Sequence, residues 1–154
     1  MINYPEKAVY TYDDLVDILR ILRAPGGCPW DREQTHESNR RNFLEEAYEA
    51  AEAFDLDDPE LMKEELGDVL MQVVLLSQIA REKGLFDITD VIKGISEKMI
   101  RRHPHVFGAP GTEVPDWEAI KQQEKQQRSR ELEQAEKAAF RAAAGQIICH
   151  LSER

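Results

Sequence analysis

Four acidic residues occur in this sequence as two pairs, and the members of each pair are three residues apart. Glu46 and Glu49 form the first pair, and Glu65 and Asp68 form the second. Three residues is just under one turn of an α-helix, so both carboxylates of a pair project from one side if the segment is helical. Four convergent carboxylates would offer hard oxygen ligands, which suit Mg²⁺ or Mn²⁺. Ions held in this way commonly serve phosphate chemistry.

The segment that carries the first pair allows two interpretations. Its apolar residues cluster on one side of the expected helix and its acidic residues lie on the other. This is also the pattern of an ordinary solvated helix face. On this segment alone, both the metal site and the solvated face remain open.

The segment that carries the second pair favours the metal site. From Leu66 to Ala80, apolar side chains point in nearly every direction of a helix, which predicts that this helix is buried. Glu65, Asp68 and Gln72 nevertheless share one stripe of it. Because buried carboxylates without partners are costly, a cation should compensate them, and a metal ion is the simplest candidate.

Two further groups of residues could bind a nucleotide, and each also has a structural explanation. Lys98 and Arg102 are four residues apart near the end of an expected helix, where they could hold phosphate groups. Cations at that position also stabilise a helix C-terminus by themselves. Trp117 and Lys121 have the same spacing, and the tryptophan could either stack on a base or pack in the core. Both interpretations stay open for each group.

Two other patterns are typical of metal ligands but are weaker here. His103 and His105 flank a proline, and such histidines are more often structural. Glu33 and His36 have the spacing of half a di-iron carboxylate motif. A di-iron site needs two copies of that motif on facing helices, and this sequence has one, so we do not expect a di-iron centre.

Helical periodicity dominates the chain and predicts an all-α fold, since no stretch shows convincing strand alternation. Thr11 and Asp14 form a capping box at the start of the first helix, and Asp58-Pro59 is a typical helix start. Gly84 is a typical stop. Five helices are predicted: one that begins at Thr11, three that span about 38–55, 59–83 and 89–102, and one that begins near Asp116. Residues 28–36 and 107–115 are predicted loops.

Length and charge narrow the class of protein. A chain of 154 residues predicts one domain, and a net charge of −10 argues against broad electrostatic binding to nucleic acid or to an anionic membrane. No signal peptide or membrane-spanning stretch is expected, since the first residues are polar and the longest apolar run is short. Cys28 and Cys149 fit no paired framework and are expected to be free thiols in a cytoplasmic protein.

Several motifs occur in order along the chain, namely Cys28-Pro-Trp-Asp31 with Gln34-Thr-His36, Glu45-Glu46-x-x-Glu49, the run ELGDVLMQVV over 65–74, RRHPHVF over 101–107 and WEAIK over 117–121. Together they resemble the signatures of the MazG nucleoside triphosphate pyrophosphohydrolases. They cover roughly residues 14–125, so we expect a catalytic domain over residues 1–125 and a polar, alanine-rich helical tail over 126–154.

This resemblance implies a helical bundle that is completed by dimerisation, as a homodimer or alternatively a tetramer. It implies hydrolysis of a nucleoside triphosphate to the monophosphate and pyrophosphate with Mg²⁺, or Mn²⁺ as a substitute. House-cleaning of the nucleotide pool and control of nucleotide levels both stay open as its role. By family pattern, the metal ligands would be Glu46, Glu49, Glu65 and Asp68, with Glu45 as a further ligand or as the base. Phosphates would contact Lys98 and Arg102, and the rest of the nucleotide would contact Trp117, Lys121, Trp30 and Asp31.

The sequence also departs from the family, and other functions compete. The family often has a lysine one turn before each acidic pair, whereas Asn42 and Leu61 stand here and only Lys63 lies nearby. This departure weakens the expectation of phosphate contacts from those two helices. Related all-α enzymes act on dUTP, dCTP or phosphoribosyl-ATP. A second alternative is a catalytically silent acidic scaffold or regulatory subunit that retains the fold.

Overall fold

The computed structural model describes residues 4–126 and, beyond them, 134, 136–137, 139–141 and 145. Up to residue 126 the chain forms seven helices, and the described residues include no strand, so the all-α prediction is confirmed. The helices are α1 (Tyr12–Arg23), α2 (Pro29–Glu33), α3 (Arg40–Leu56), α4 (Pro59–Glu82), α5 (Ile88–Arg102), α6 (Pro104–Phe107) and α7 (Trp117–Gln126).

The chain divides into two units, residues 1–91 and 92–154. The first unit contains α1 to α4 and carries the four paired carboxylates. A catalytic domain over 1–125 with a helical tail over 126–154 stays a prediction.

The first helix begins as predicted. The Thr11 hydroxyl accepts a hydrogen bond from the Asp14 amide at 3.3 Å, and the Thr11 amide donates to the Asp14 carboxylate at 2.9 Å. These reciprocal bonds satisfy two amides that a helix N-terminus otherwise leaves unpaired. After α1 the chain turns back on itself so closely that a Cβ atom at Gly27 would lie 2.3 Å from the Leu22 carbonyl oxygen. Only glycine fits at this position without moving the backbone.

The predicted loop over residues 28–36 is wrong for its first half, which forms α2. Pro29 occupies the first helical position, where its fixed φ favours a helix and its missing N–H costs nothing. The side chain of Arg23 then holds this short helix in place, because its guanidinium donates to the carbonyl oxygens of Asp31 and Gln34 and pairs with Glu82 of α4.

Helices α3 and α4 form an antiparallel hairpin, and both lie within two residues of their predicted limits. Between them, Asp57 adopts a left-handed conformation with φ of 53°, and Asp58 caps α4 by accepting from the amides of Glu60 and Leu61 at 3.0 and 3.3 Å. The antiparallel direction follows from the pairing of residues, because the start of α3 meets the second half of α4 and the middle of α3 meets its first half.

The core of this unit lies between α1 and the second half of α4, and it is formed by Leu19, Val74, Leu75 and Ile79. The prediction that α4 is buried all round from Leu66 onward is therefore only partly right. Leu66 is 52% exposed and Leu70 is 43% exposed, whereas burial begins at Gln72. The apolar side chains of α1 pack against this core, whose α4 members Val74, Leu75 and Ile79 all lie in the second half of that helix.

The second unit contains most of α5 together with α6 and α7. Helix α5 starts one residue before its predicted limit, and Asp87 accepts hydrogen bonds from the amides of Thr89 and Asp90 there. Helix α5 ends at Arg102 as predicted, but Pro104 begins the short helix α6, which was not predicted. The last helix begins at Trp117, close to the predicted start.

Two further expectations concern the chain as a whole. Cys28 is a free thiol, as predicted, while Cys149 lies outside the described residues. Within the part of the chain that the structure describes, none of the helices combines the length and apolarity that crossing a bilayer requires.

Candidate functional site

Three of the four paired carboxylates meet at the interface of α3 and α4. Glu46 and Glu49 lie one turn apart on α3, and Glu65 faces them from α4. One carboxylate oxygen from each lies within 4.8 Å of the other two, and all three side chains are half-buried. The antiparallel hairpin produces this convergence, because it places the middle of α3 opposite the first turns of α4.

Asp68 lies one turn after Glu65 and is also half-buried, but none of its oxygens joins that group of three. Its charge still acts on the group, since it raises the pKa values of both Glu46 and Glu65. The structure therefore brings together three predicted ligands closely and places the fourth beside them. Their role as metal ligands stays a prediction.

The carboxylate of Glu65 is the least satisfied group of the cluster. Its Oε2 atom is almost inaccessible to solvent and has no hydrogen-bond partner among the residues that the structure describes. Burial raises the pKa of the Glu65 carboxyl first, and the neighbouring charges of Glu49 and Asp68 raise it further. An ionised oxygen in this position is costly unless a cation reaches it.

The pKa of the Glu46 carboxyl is raised by the same causes, and one neighbouring side chain opposes them. Burial raises the pKa of its carboxyl, as do the charges of Asp68 and Glu49, whereas a hydrogen bond from Gln72 lowers it. The acidic neighbours therefore disfavour the ionised form of Glu46, whereas the neutral Gln72 side chain favours it.

The donor set fits a small, hard divalent cation. Three converging carboxylates and an unpartnered buried oxygen are what such an ion would neutralise. No lysine of the two helices takes over this task in the described residues, because Lys63, the nearest in sequence, pairs outward with Glu60 at an exposed position. Mg²⁺ and Mn²⁺ both suit these ligands.

Glu45 lies next to the cluster but is not part of it. As the residue before Glu46 it projects about 100° around the helix, and its carboxylate accepts from Arg41 at 3.2 Å. In the short helix α2, Trp30 is 57% exposed and Asp31 is half-buried. The predicted roles of these three residues stay predictions.

In the second unit, three of the four predicted nucleotide contacts lie together. The guanidinium carbon of Arg102 lies 5.0 Å from the centre of the Trp117 ring, and Lys121 Nζ lies 5.7 Å from it. These distances are typical of cation–π contacts. Lys98 lies one turn before Arg102 on α5 and is half-buried. The side chain of Trp117 is 40% exposed, which disfavours the interpretation that this tryptophan packs in the core.

Glu124, which no pattern in the sequence indicated, pairs with Arg102, one of the two cations predicted to hold phosphate groups. Its carboxylate accepts from Arg102 at 2.5 Å and from Arg101 at 2.7 Å. These hydrogen bonds, that of Arg102 above all, lower the pKa of Glu124 to about 2. Glu124 follows Trp117 by two helical turns, so the spacing shows that they share a face of α7, but the contact with another helix left no signal in the sequence.

One histidine of each of the two weaker metal patterns makes a structural contact. His36 Nε2 donates to the carbonyl oxygen of Leu76 at 3.0 Å and so fixes the segment before α3 on α4. His103 Nδ1 donates to the Met99 carbonyl at 2.7 Å and ends α5. Asn39 was not predicted to have a role either; it is fully buried at the start of α3 and donates a hydrogen bond to Gln72 of α4.

Comparison with known proteins supports the interpretation of these motifs. Residues 34–107 match the family described as the MazG nucleotide pyrophosphohydrolase domain. The chain is 55% identical over 121 residues to the nucleoside triphosphate pyrophosphohydrolase/pyrophosphatase MazG of Thermotoga maritima, an alignment that covers 78% of this chain and 48% of that protein.

Two further relatives come from other bacteria. The uncharacterized protein YabN of Bacillus subtilis is 51% identical over 126 residues, covering 78% of this chain and 26% of YabN. The nucleoside triphosphate pyrophosphohydrolase of Escherichia coli is 43% identical over 123 residues, covering 76% of this chain and 47% of that protein. The chain thus spans about half the length of the two relatives with pyrophosphohydrolase names and a quarter of YabN.

Proposed function

The chain belongs to the MazG nucleotide pyrophosphohydrolase family, and from this membership we propose that it hydrolyses a nucleoside triphosphate to the monophosphate and pyrophosphate. The observation that carries the proposal is the convergence of Glu46, Glu49 and Glu65 around a buried, unpartnered carboxylate oxygen. A protein without a cation to bind would gain nothing from such a costly arrangement.

We propose that Glu46, Glu49, Glu65 and Asp68 hold Mg²⁺, or Mn²⁺ in its place. When bound, this ion supplies charge neutralisation for the triphosphate and polarises its phosphoryl oxygens. The half-buried setting of these side chains strengthens that electrostatic effect, because the surroundings are less polar than water.

The remaining residues act on the substrate directly in this proposal. Glu45 takes a proton from the attacking water as general base. Lys98 and Arg102 bind phosphate groups and stabilise the charge on the departing pyrophosphate. The nucleoside contacts are proposed for Trp117 and Lys121, and Trp30 and Asp31 shape the base pocket. The Arg102–Trp117 contact supports this assignment, since it shows a cation and an aromatic face side by side.

We also propose that a second copy of the chain completes the bundle. Large apolar side chains of the α3–α4 hairpin are exposed, namely Tyr48 at 40%, Phe54 at 51%, Leu66 at 52% and Leu70 at 43%.

A cytoplasmic location, and a role in removing unwanted nucleotides from the pool, fit this activity and remain proposals.

Turnover measured on a panel of nucleotides tests the function. We expect the full chain to release pyrophosphate and a monophosphate from at least one canonical or oxidised nucleoside triphosphate, with Mg²⁺ or Mn²⁺ present. The panel should include dUTP, dCTP and phosphoribosyl-ATP, which separate the related enzymes. A chain that binds Mg²⁺ but releases no pyrophosphate from any of these nucleotides would contradict the proposal and favour the silent scaffold.

A further inference from the structure

Two buried amide side chains lie close in sequence to the carboxylate cluster, one at the start of α3 and one on α4. Asn39 is 0% exposed and Gln72 is 3% exposed, so water reaches neither of them freely. Gln72 follows Asp68 by one turn of α4, and Asn39 precedes Glu46 by two turns of α3. Buried amides must satisfy both their donors and their acceptors within the protein, so the partners of these two side chains define their task.

The hydrogen bonds of these amides run in one direction. The Asn42 Nδ2 group donates to Asn39 Oδ1 at 3.2 Å, and Asn39 Nδ2 donates to Gln72 Oε1. The Gln72 oxygen is thereby used, so the NH₂ group is the part of Gln72 that remains to act on Glu46, and Gln72 lowers the pKa of that carboxyl. An ionised carboxylate only accepts hydrogen bonds, so the NH₂ group is the end of Gln72 that suits Glu46.

The position of Asn39 makes this arrangement more specific. It is the N-cap residue of α3, and asparagine there ordinarily uses its side-chain oxygen to cap its own helix. The Asn39 side chain makes no such cap bond. It gives up that local contact and reaches across to α4, where the Gln72 oxygen is its acceptor.

We propose that Asn39 is a positioning residue for the metal centre, which acts through Gln72 to fix the orientation of the Glu46 carboxylate before the ion arrives. The proposal rests on the proposed function, because it concerns the same metal site. The physical gain is preorganisation. A ligand already held by neighbouring hydrogen bonds loses less freedom on binding, and such outer partners are typically worth about 10–100-fold in metal affinity.

A double-mutant cycle on Mg²⁺ affinity tests this proposal without depending on turnover. The Kd for Mg²⁺ alone is measured by calorimetry on the full chain and on its Asn39→Leu, Gln72→Met and doubly substituted variants, all of which keep side-chain volume nearly constant. We expect each single variant to weaken binding about tenfold. The double variant should be no weaker than Gln72→Met, because Asn39 has no route to Glu46 without the Gln72 amide.

The matched control is Ser77→Ala on the same helix. Ser77 is also buried at 3% exposure, but its hydroxyl donates to the Val73 carbonyl and not to the cluster. We expect its Mg²⁺ Kd to equal that of the unaltered chain. A folded Asn39→Leu variant with an unchanged Kd would overturn the proposal, and so would single effects that multiply in the double variant.

A measurement on the unaltered chain keeps the test decisive if a variant fails to fold. The side-chain NH₂ protons of Gln72 should exchange slowly with solvent and should shift when Mg²⁺ is added, as followed by nuclear magnetic resonance. Fast exchange, or signals that ignore Mg²⁺, would overturn the proposal.

The proposed function and this inference fail in different ways. If the unaltered chain binds no Mg²⁺, the metal site itself is wrong and this inference is wrong with it. If the unaltered chain binds Mg²⁺, Glu65→Gln does not, and Asn39→Leu binds as well as the unaltered chain, the metal site stands and only the positioning role of Asn39 is overturned.

Discussion

At the scale of single residues, Glu65 carries the strongest argument for a cation. It is surrounded by acidic neighbours, one of its oxygens is buried without a hydrogen-bond partner in the described part of the chain, and its pKa is raised chiefly by that burial. Each of these features disfavours the charged form that a metal ligand requires. The cost to the unliganded protein becomes useful only when an ion binds.

The first prediction at this scale concerns turnover. Glu65→Gln keeps the shape of the side chain but removes its charge, so we expect turnover to fall by roughly a hundredfold or more, as single electrostatic groups in active sites commonly contribute that much. Glu64→Gln is the matched control, because Glu64 is the exposed neighbour on the same helix. It should retain turnover within about threefold. Near-normal turnover in Glu65→Gln would defeat its assignment as a ligand.

The second prediction concerns pH and stability in the absence of divalent ions. A carboxyl whose pKa is raised by folding binds its proton more tightly in the folded state, so the folded state loses stability as pH rises from the ordinary value of 4.5 through the raised value. Glu65→Gln cannot ionise. We therefore expect this variant to melt higher than the unaltered chain at neutral pH, by on the order of 3 °C. Below pH 4 the two proteins should melt at the same temperature.

Thermal melts of both proteins across this pH range, in buffer with a chelator, provide the measurement. An unaltered chain that melts higher than Glu65→Gln at neutral pH would contradict the cause assigned to the raised pKa, and so would an advantage of the variant that grows on acidification.

At the scale of elements, the α3–α4 hairpin is what turns two sequence motifs into one site. Its turn combines a left-handed Asp57 with Asp58 as the cap of α4, and this sets the first turns of α4 opposite the middle of α3. Asp58 alone accepts two hydrogen bonds from amides of the first turn.

We expect Asp58→Ala to lower the free energy of unfolding by about 1 kcal/mol, because it removes the acceptor of those two amides. Asp58→Asn serves as its control, since asparagine is as good a cap residue, and it should change stability by a few tenths of a kcal/mol or less. Chemical denaturation of the three proteins measures the difference. Equal losses in both variants would show that the charge of Asp58, and not its cap bonds, stabilises α4.

How far the sequence anticipates these elements depends on the range of the interactions. Local signals were sufficient where a cap or breaker decides, as at Thr11, Asp58 and Gly84, and where helical spacing pairs two carboxylates. They failed for α2 and α6, because these helices begin with a proline and have only five and four residues, which is too short for a helical pattern to be recognised. They also failed for Asn39 and Glu124, whose roles come from contacts across helices that no spacing along the chain records.

At the scale of the whole molecule, the exposed apolar residues of the hairpin support a second copy of the chain. Two of them, Leu66 and Leu70, lie one turn apart on α4 and follow directly on Glu65. An apolar surface of this kind on a charged protein marks an interaction site. Its position next to the carboxylates places the proposed interface beside the candidate site.

We expect the unaltered chain to sediment with twice its 17.7 kDa mass, and a Leu66→Asp, Leu70→Asp double variant to sediment as a monomer, because a buried charge would be unpaired in the interface. Leu85→Asp is the control, since Leu85 is 65% exposed but lies after α4. It should keep the mass of the unaltered chain. A monomeric unaltered chain would contradict the proposed homodimer, and a double variant that kept twice the monomer mass would show that another surface forms it.

The central claim is that a divalent cation relieves the crowding of Glu46, Glu49 and Glu65, and thermal melting at neutral pH with and without Mg²⁺ tests it most directly. An ion that binds only the folded chain stabilises it by about 2.7 kcal/mol at a concentration of 100 times its Kd. We expect the melting temperature of the unaltered chain to rise by several degrees, and that of Glu65→Gln to stay constant, at equal ionic strength. An unchanged melting temperature in the unaltered chain, or an equal rise in both proteins, would contradict the account.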